Sequence, residues 1–139
     1  MNYLLDTNVW ADYLNERYPS VASRILAAVP EELGLSSIVL AELRYGADKS
    51  KRPEWNHARI DILARELPIL EFDTSAASAF GLLRSRLEAS GQPIGPYDML
   101  IAAQALSKDL ILVTDNEREF GRVAGLRIEN WRGGEPQSR

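Results

Sequence analysis

A handful of acidic residues stand where an α/β chain can do chemistry with them. Asp6 closes the apolar run Leu4-Leu5 and leads into Thr7-Asn8. Glu42 lies between Ala41 and Leu43 in an apolar stretch, and Asp98 follows the turn-forming run Pro93-Ile94-Gly95-Pro96-Tyr97. Asp115 and Glu119 follow the apolar segment Leu110 to Val113, with Thr114 and Asn116 beside them. Taken singly, each has a bland reading. Asp6 and Asp98 can cap helices, each contributing about 1 kcal/mol, and Glu42 can be solvated or paired with Arg44. Together they say more. Carboxylates gathered on one rim raise one another's pKa unless something compensates. A divalent cation does so, and magnesium needs only one or two carboxylates because it keeps several waters, which suits substrates with phosphate oxygens. Such an ion stabilises charge on a phosphoryl oxygen and activates water. The pattern points to metal-dependent phosphoryl transfer or phosphodiester cleavage and leaves the substrate open.

Other chemistries are disfavoured. The 139-residue chain has no cysteine and one histidine, His57, so thiol nucleophiles, iron–sulfur clusters and multi-histidine zinc sites drop out. A metal here is held by oxygen, which favours Mg2+, with Mn2+ as a substitute. No run of about 18 apolar residues spans a membrane, and no secretory signal opens the chain. With the absence of cysteine, this gives a cytoplasmic expectation. The net charge of −4 argues against tight nonspecific nucleic-acid binding. Its distribution is uneven. Arg118, Arg122, Arg127, Arg132 and Arg139 face only Glu119, Glu129 and Glu135 in the last stretch, and Arg84 and Arg86 form a second basic spot. Ordinary solvated faces are the favoured reading of such runs.

The acids need elements to position them. Tyr3 to Leu5 reads as a strand, and Val9, Trp10, Tyr13 and Leu14 have helical spacing. Pro19 opens a helix through Ala28, and Leu33 to Ser36 reads as a strand. A helix over Ile38 to Tyr45 is expected to stop at Gly46. Pro53 opens the next helix, and Ile69 to Phe72 is the third strand. Asp73 or Thr74 then caps a helix with the stripe Ala76, Phe80, Leu83 and Leu87. A further helix covers Tyr97 to Ser107. Leu110 to Val113 is the fourth strand, and Arg127 to Asn130 an edge strand. Alternating strands and helices make a parallel sheet between helical layers, and such sheets bind ligands beyond the carboxyl ends of their strands. That is where the acids fall. Residues 1–132 form one domain in this reading, and residues 133–139 a flexible tail.

Four segments in order carry a family likeness: Leu5-Asp6-Thr7-Asn8, Ala41-Glu42-Leu43-Arg44-Tyr45-Gly46, Pro93-Ile94-Gly95-Pro96-Tyr97-Asp98, and Val113-Thr114-Asp115-Asn116-Glu117-Arg118-Glu119-Phe120. The chain resembles PIN-domain ribonucleases, and more narrowly the VapC toxins of bacterial VapBC toxin–antitoxin modules. The resemblance implies an α/β/α sandwich with a central parallel sheet and a Mg2+-dependent endoribonuclease. It implies a VapB-type antitoxin, a toxin homodimer, and contact with operator DNA only through the antitoxin. In the branch with a Pro-Ile-Gly-Pro-aromatic-Asp segment it implies transfer RNA, initiator transfer RNA included, as substrate. By position, Asp6 and Asp98 match the metal ligands and Glu42 the third acid. Thr7 and Asn8 would order the carboxylate or a bound water.

The fourth acid is ambiguous, because Asn116 stands where many PIN sequences carry aspartate after a threonine, here Thr114. Glu119 is expected to complete the set with Asn116 beside it, and Asp115 to turn outward or cap a helix. A surface pair of Glu119 with Arg122 is the alternative. Arg84, Arg86, Arg118 and Arg122 are the expected phosphate contacts. Trp10, Trp55 and Trp131 could stack on bases, but helical spacing favours core or interface packing for the first two. With Tyr13 and Leu14 those two are candidate interface residues, and His57 is a surface residue. A small-molecule phosphohydrolase would use the same acids, although Asp6-Thr7-Asn8 lacks the Asp-x-Asp pair of aspartyl-phosphate enzymes. A catalytically weak module that only binds antitoxin and DNA is the third possibility.

Overall fold

The computed structural model describes residues 1–134, so much of the expected tail, from residue 135 on, lies outside it. Its strands are short: β1 (Tyr3–Leu5), β2 (Leu33–Ser36), β3 (Ile69–Leu70), β4 (Ile111–Val113) and β5 (Ile128–Glu129). They form one sheet in the order β3-β2-β1-β4-β5, and every pair is parallel. The register sets Tyr3 beside Leu33 and Ile111, and Leu5 beside Val113. The helices are α1 (Thr7–Leu14), α2 (Pro19–Ala27), α3 (Ser37–Lys49), α4 (Pro53–Glu66), α5 (Thr74–Ala89), α6 (Pro96–Ser107) and α7 (Glu117–Phe120). They flank the sheet as the expected sandwich requires.

Apolar runs too short for helices become strands, and they are buried on both faces because helices cover both. Leu4, Leu5, Leu35, Leu112 and Val113 are fully buried. The helix α6 is apolar almost all round and lies in the core, with Ile101, Ala102, Ala103 and Ala105 fully buried. Its one polar core residue, Gln104, accepts from the Ser36 hydroxyl and donates to the Leu70 carbonyl at 3.1 Å. This network ties α6 to the ends of β2 and β3.

The expected strands and helices are present, with one helix longer than its sequence suggested. Glycine at position 46 does not stop α3, which runs on to Lys49. Ala47, one residue further, is 4% exposed, so burial of the next turn outweighs the conformational cost of glycine. The Ser36 hydroxyl caps α3 at its start, accepting from Ile38 and Val39 N–H.

Candidate active site

The β1–β4 ladder runs one step past the strands, since Asp6 N–H donates to Val113 C=O at 2.9 Å. Asp6 and Thr114 therefore face each other at the carboxyl edge, and the Thr114 hydroxyl donates to Asp6 Oδ2 at 2.9 Å. The other carboxylate oxygen accepts from Thr7 N–H at 2.8 Å, so Asp6 also caps α1. Capping and chemistry are not alternatives here. The Thr7 hydroxyl donates to Glu42 Oε1 at 2.7 Å, linking α1 to the middle of α3. From Thr114 the chain of bonds continues outward. Asn116 N–H donates to the Thr114 hydroxyl at 3.0 Å, and the Asn116 amide donates to Glu119 Oε2 at 2.6 Å.

Asp98 reaches the same rim from the first turn of α6. Gly95 caps that helix, and a Cβ there would stand 3.4 Å from Asp98 Oδ2, so the carboxylate lies over its bare face. Burial pushes the Asp98 carboxyl up to about 6, helped by the charges of Asp6, Glu119 and Glu42. Asp6, which is 5% exposed, is also raised. Burial is the main cause there, opposed by the Thr114 and Thr7 hydrogen bonds and reinforced by Glu42 and Asp115. Acids from four separate segments thus feel one another across one rim.

Comparison with known proteins matches this chain to the PIN domain family over residues 3–126. The tRNA(fMet)-specific endonuclease VapC of Shigella flexneri is 40% identical over 131 residues, which is 94% of this chain and 98% of that one. Ribonuclease VapC2 of Rickettsia felis is 41% identical over 132 residues with the same coverage. The chain is a PIN-domain ribonuclease of the VapC family. Among solved structures, VapBC2 of Rickettsia felis bound to a promoter DNA fragment superposes with a TM-score of 0.87 at 40% identity, covering 94% of this chain and 99% of that one.

PIN nucleases generally use a divalent metal, and the residues here fit one. The site donors are hard carboxylate oxygens, with neither thiolate nor imidazole among them. The raised Asp98 carboxyl marks a negative charge that a cation would relieve. Among the described residues no three acids stand close enough to form a ready-made cage. That fits an ion that holds one or two carboxylates and keeps its waters.

The other expected site residues fall into place unevenly. Asn8 is exposed, whereas Thr7 serves both Asp6 and Glu42. Asp115 points away from Asp6 and Glu119 but is half-buried, and it does not cap α7. Its carboxylate meets Arg132 Nη1 at 2.9 Å, a partner that sequence reasoning missed. Arg86 and Arg122 line one groove of about 740 Å3 beside α5, while Arg84 pairs with Glu88 on the surface. Arg118 is exposed on the same short helix as Glu119. Trp10 is fully buried and Trp131 is 4% exposed, so neither is free to dock a partner or stack a base. Trp55 is exposed, with Arg52 and Arg59 stacked at 4.3 and 4.4 Å. His57 is half-buried and bonded to Asp48 and Arg44 rather than free on the surface.

Proposed function

We propose that this ribonuclease is the toxin of a VapBC-type module, a Mg2+-dependent endoribonuclease that cleaves transfer RNA in the cytoplasm, with Mn2+ able to replace Mg2+. A VapB-type antitoxin restrains it, it forms a homodimer, and it meets operator DNA only through the antitoxin. The observation that carries this reading is the gathering of Asp6, Glu42, Asp98 and Glu119 from separate segments at one sheet edge, where the other three help raise the Asp98 carboxyl. In support of the substrate, the Shigella flexneri relative is by name specific for tRNA(fMet). In support of the partner, the Rickettsia felis structure pairs its toxin with antitoxin and promoter DNA. No described helix is long and apolar enough to cross a membrane.

In this reading Asp6 and Asp98 hold the cation. When bound, it supplies Lewis-acid stabilisation of charge on the phosphoryl oxygens. Glu42 and Glu119, each with one oxygen fixed by a neighbouring donor, remain to orient water and take its proton. Water oxygen attacks phosphorus, the bond to the leaving ribose oxygen breaks, and that oxygen takes up a proton. Tyr97, beside Asp98, is 60% exposed, and Tyr45, one turn past Glu42, is 64% exposed. Both offer faces for unstacked bases. Arg86, Arg118 and Arg122 supply cations for phosphates, and Arg84 a fourth once released from Glu88.

The test is sequencing of RNA ends after induction of wild type, Asp6→Asn and Asp98→Asn. New ends within transfer RNA in the wild type alone are expected, and co-expressing the protein encoded beside it should suppress them. Undiminished cleavage by either variant, or cuts spread over all RNA classes, would overturn the proposal.

A further inference from the structure

Two acids lie beside the site without taking part in it. Asp12, on the inner face of α1, is 3% exposed. Asp115 sits in the run that joins β4 to α7. Backbone alternation there sends Thr114 and Asn116 toward Asp6 and Glu119 and turns Asp115 the other way. One guanidinium answers both acids. Arg132 Nε and Nη2 grip Asp12 at 2.6 and 3.0 Å, and Nη1 holds Asp115 Oδ2 at 2.9 Å. The guanidinium is stacked 4.5 Å over the Tyr18 ring. Its own segment is anchored as well, because Ser20 donates to Trp131 C=O at 2.7 Å and Arg132 N–H to Asn130 Oδ1 at 2.9 Å. Asp115 Oδ1 is buried and has no hydrogen-bond partner among the described residues. That oxygen belongs to the residue next to the threonine that holds Asp6, so only the Arg132 contact on its other oxygen fixes where the carboxylate points.

We propose that Arg132 is a positioning residue for the metal site: it holds Asp115 out of the site and balances part of its charge, leaving Glu119 as the fourth acid. A guanidinium suits this because its planar fork grips one carboxylate with two donors and still reaches a second. The inference rests on the proposed cation site at Asp6 and Asp98. A purely mechanical bracket for the last strand would hold the same residues together without affecting the cation.

Mn2+ binding, followed by the loss of the free-ion electron paramagnetic resonance signal, separates these. Removing Arg132 alone would strand buried Asp12, so the comparison is made in an Asp12→Asn background. Arg132→Gln in that background should bind Mn2+ roughly threefold or more tightly, because one released carboxylate now faces the ion. Adding Asp115→Asn should abolish the gain. In otherwise wild-type protein, Asp115→Asn alone should change the affinity by less than about twofold, since that carboxylate is held away from the ion and partly balanced by Arg132. This second arm stands even if the Arg132 variants fail to fold. Equal affinity with and without Arg132, a gain that survives Asp115→Asn, or a large loss from Asp115→Asn alone overturns the inference. Mn2+ binding that Asp6→Asn leaves undiminished overturns the site reading itself, and the inference with it.

Discussion

Replacing Asp98 by asparagine should stabilise the metal-free protein, and by an amount that depends on pH. The carboxyl is raised from 3.8 to about 6, first by burial and then by the charges of Asp6, Glu119 and Glu42. A rise of about two units corresponds to ~3 kcal/mol of penalty on the ionised form. Asp98 is only half-buried, so solvent screening reduces this to ~1–1.5 kcal/mol. The sign follows from proton linkage. Between 3.8 and about 6 the folded state binds the proton that the unfolded state has lost, so wild-type stability falls as pH rises. Above that window the penalty is complete, and below it the penalty is gone. Asp98→Asn never carries it. In EDTA at pH 8 the variant should therefore be ~1 kcal/mol more stable, raising the midpoint by ~3–5 °C. By pH 5 about half the advantage should remain, and near pH 4 about a fifth. Saturating Mg2+ should then stabilise wild type more than the variant, because only wild type keeps both proposed ligands. Urea denaturation at pH 8 and pH 5, with EDTA or Mg2+, measures all of this. A variant less stable than wild type at pH 8 in EDTA, or an advantage indifferent to pH, would refute the reasoning.

At saturating Mg2+, Glu119→Gln should slow RNA cleavage at least ~10-fold and Asp115→Asn far less; single-turnover rates decide, and a larger effect at Asp115 reverses the assignment of the fourth acid. Gln104→Ala should lower stability by ~2–4 kcal/mol, because it opens space in a full core and strands both the Ser36 hydroxyl and the Leu70 carbonyl; a loss under ~1 kcal/mol in urea would show that these groups find other partners.

Much of the site was legible because strand ends and helix starts carry local signals. An apolar run ending on Asp6, and proline and glycine leading to Asp98, place both acids on one sheet edge once the alternation of elements makes the strands parallel. The hydrogen bond from Asn116 to Glu119 follows from residues three apart at the start of a helix. What escaped was long-range. Arg132 and Asp12 are 120 residues apart, and nothing near either one announces the pair. A partial signal was present, because Asp12 sits three residues from Val9 on a face that must be buried. For Trp10 the spacing left core and interface open, because helical spacing finds an apolar face without saying whether sheet or partner covers it, and Trp10 is fully buried within the chain. Gly46 misled because its signal is local, while the burial of Ala47 that keeps the helix going is tertiary.

The position of β1 has a consequence in time. It is made first, yet it lies in the middle of the sheet, and its second edge stays open until β4 arrives. Thr114, which holds Asp6, is 108 residues further along the chain, and Glu119 and Arg132 come later still. While the ribosome is making this protein, Asp6 therefore stands without its Thr114 partner until the fourth strand is out. The pairing that fixes Asp6 can form only after most of the chain has been made.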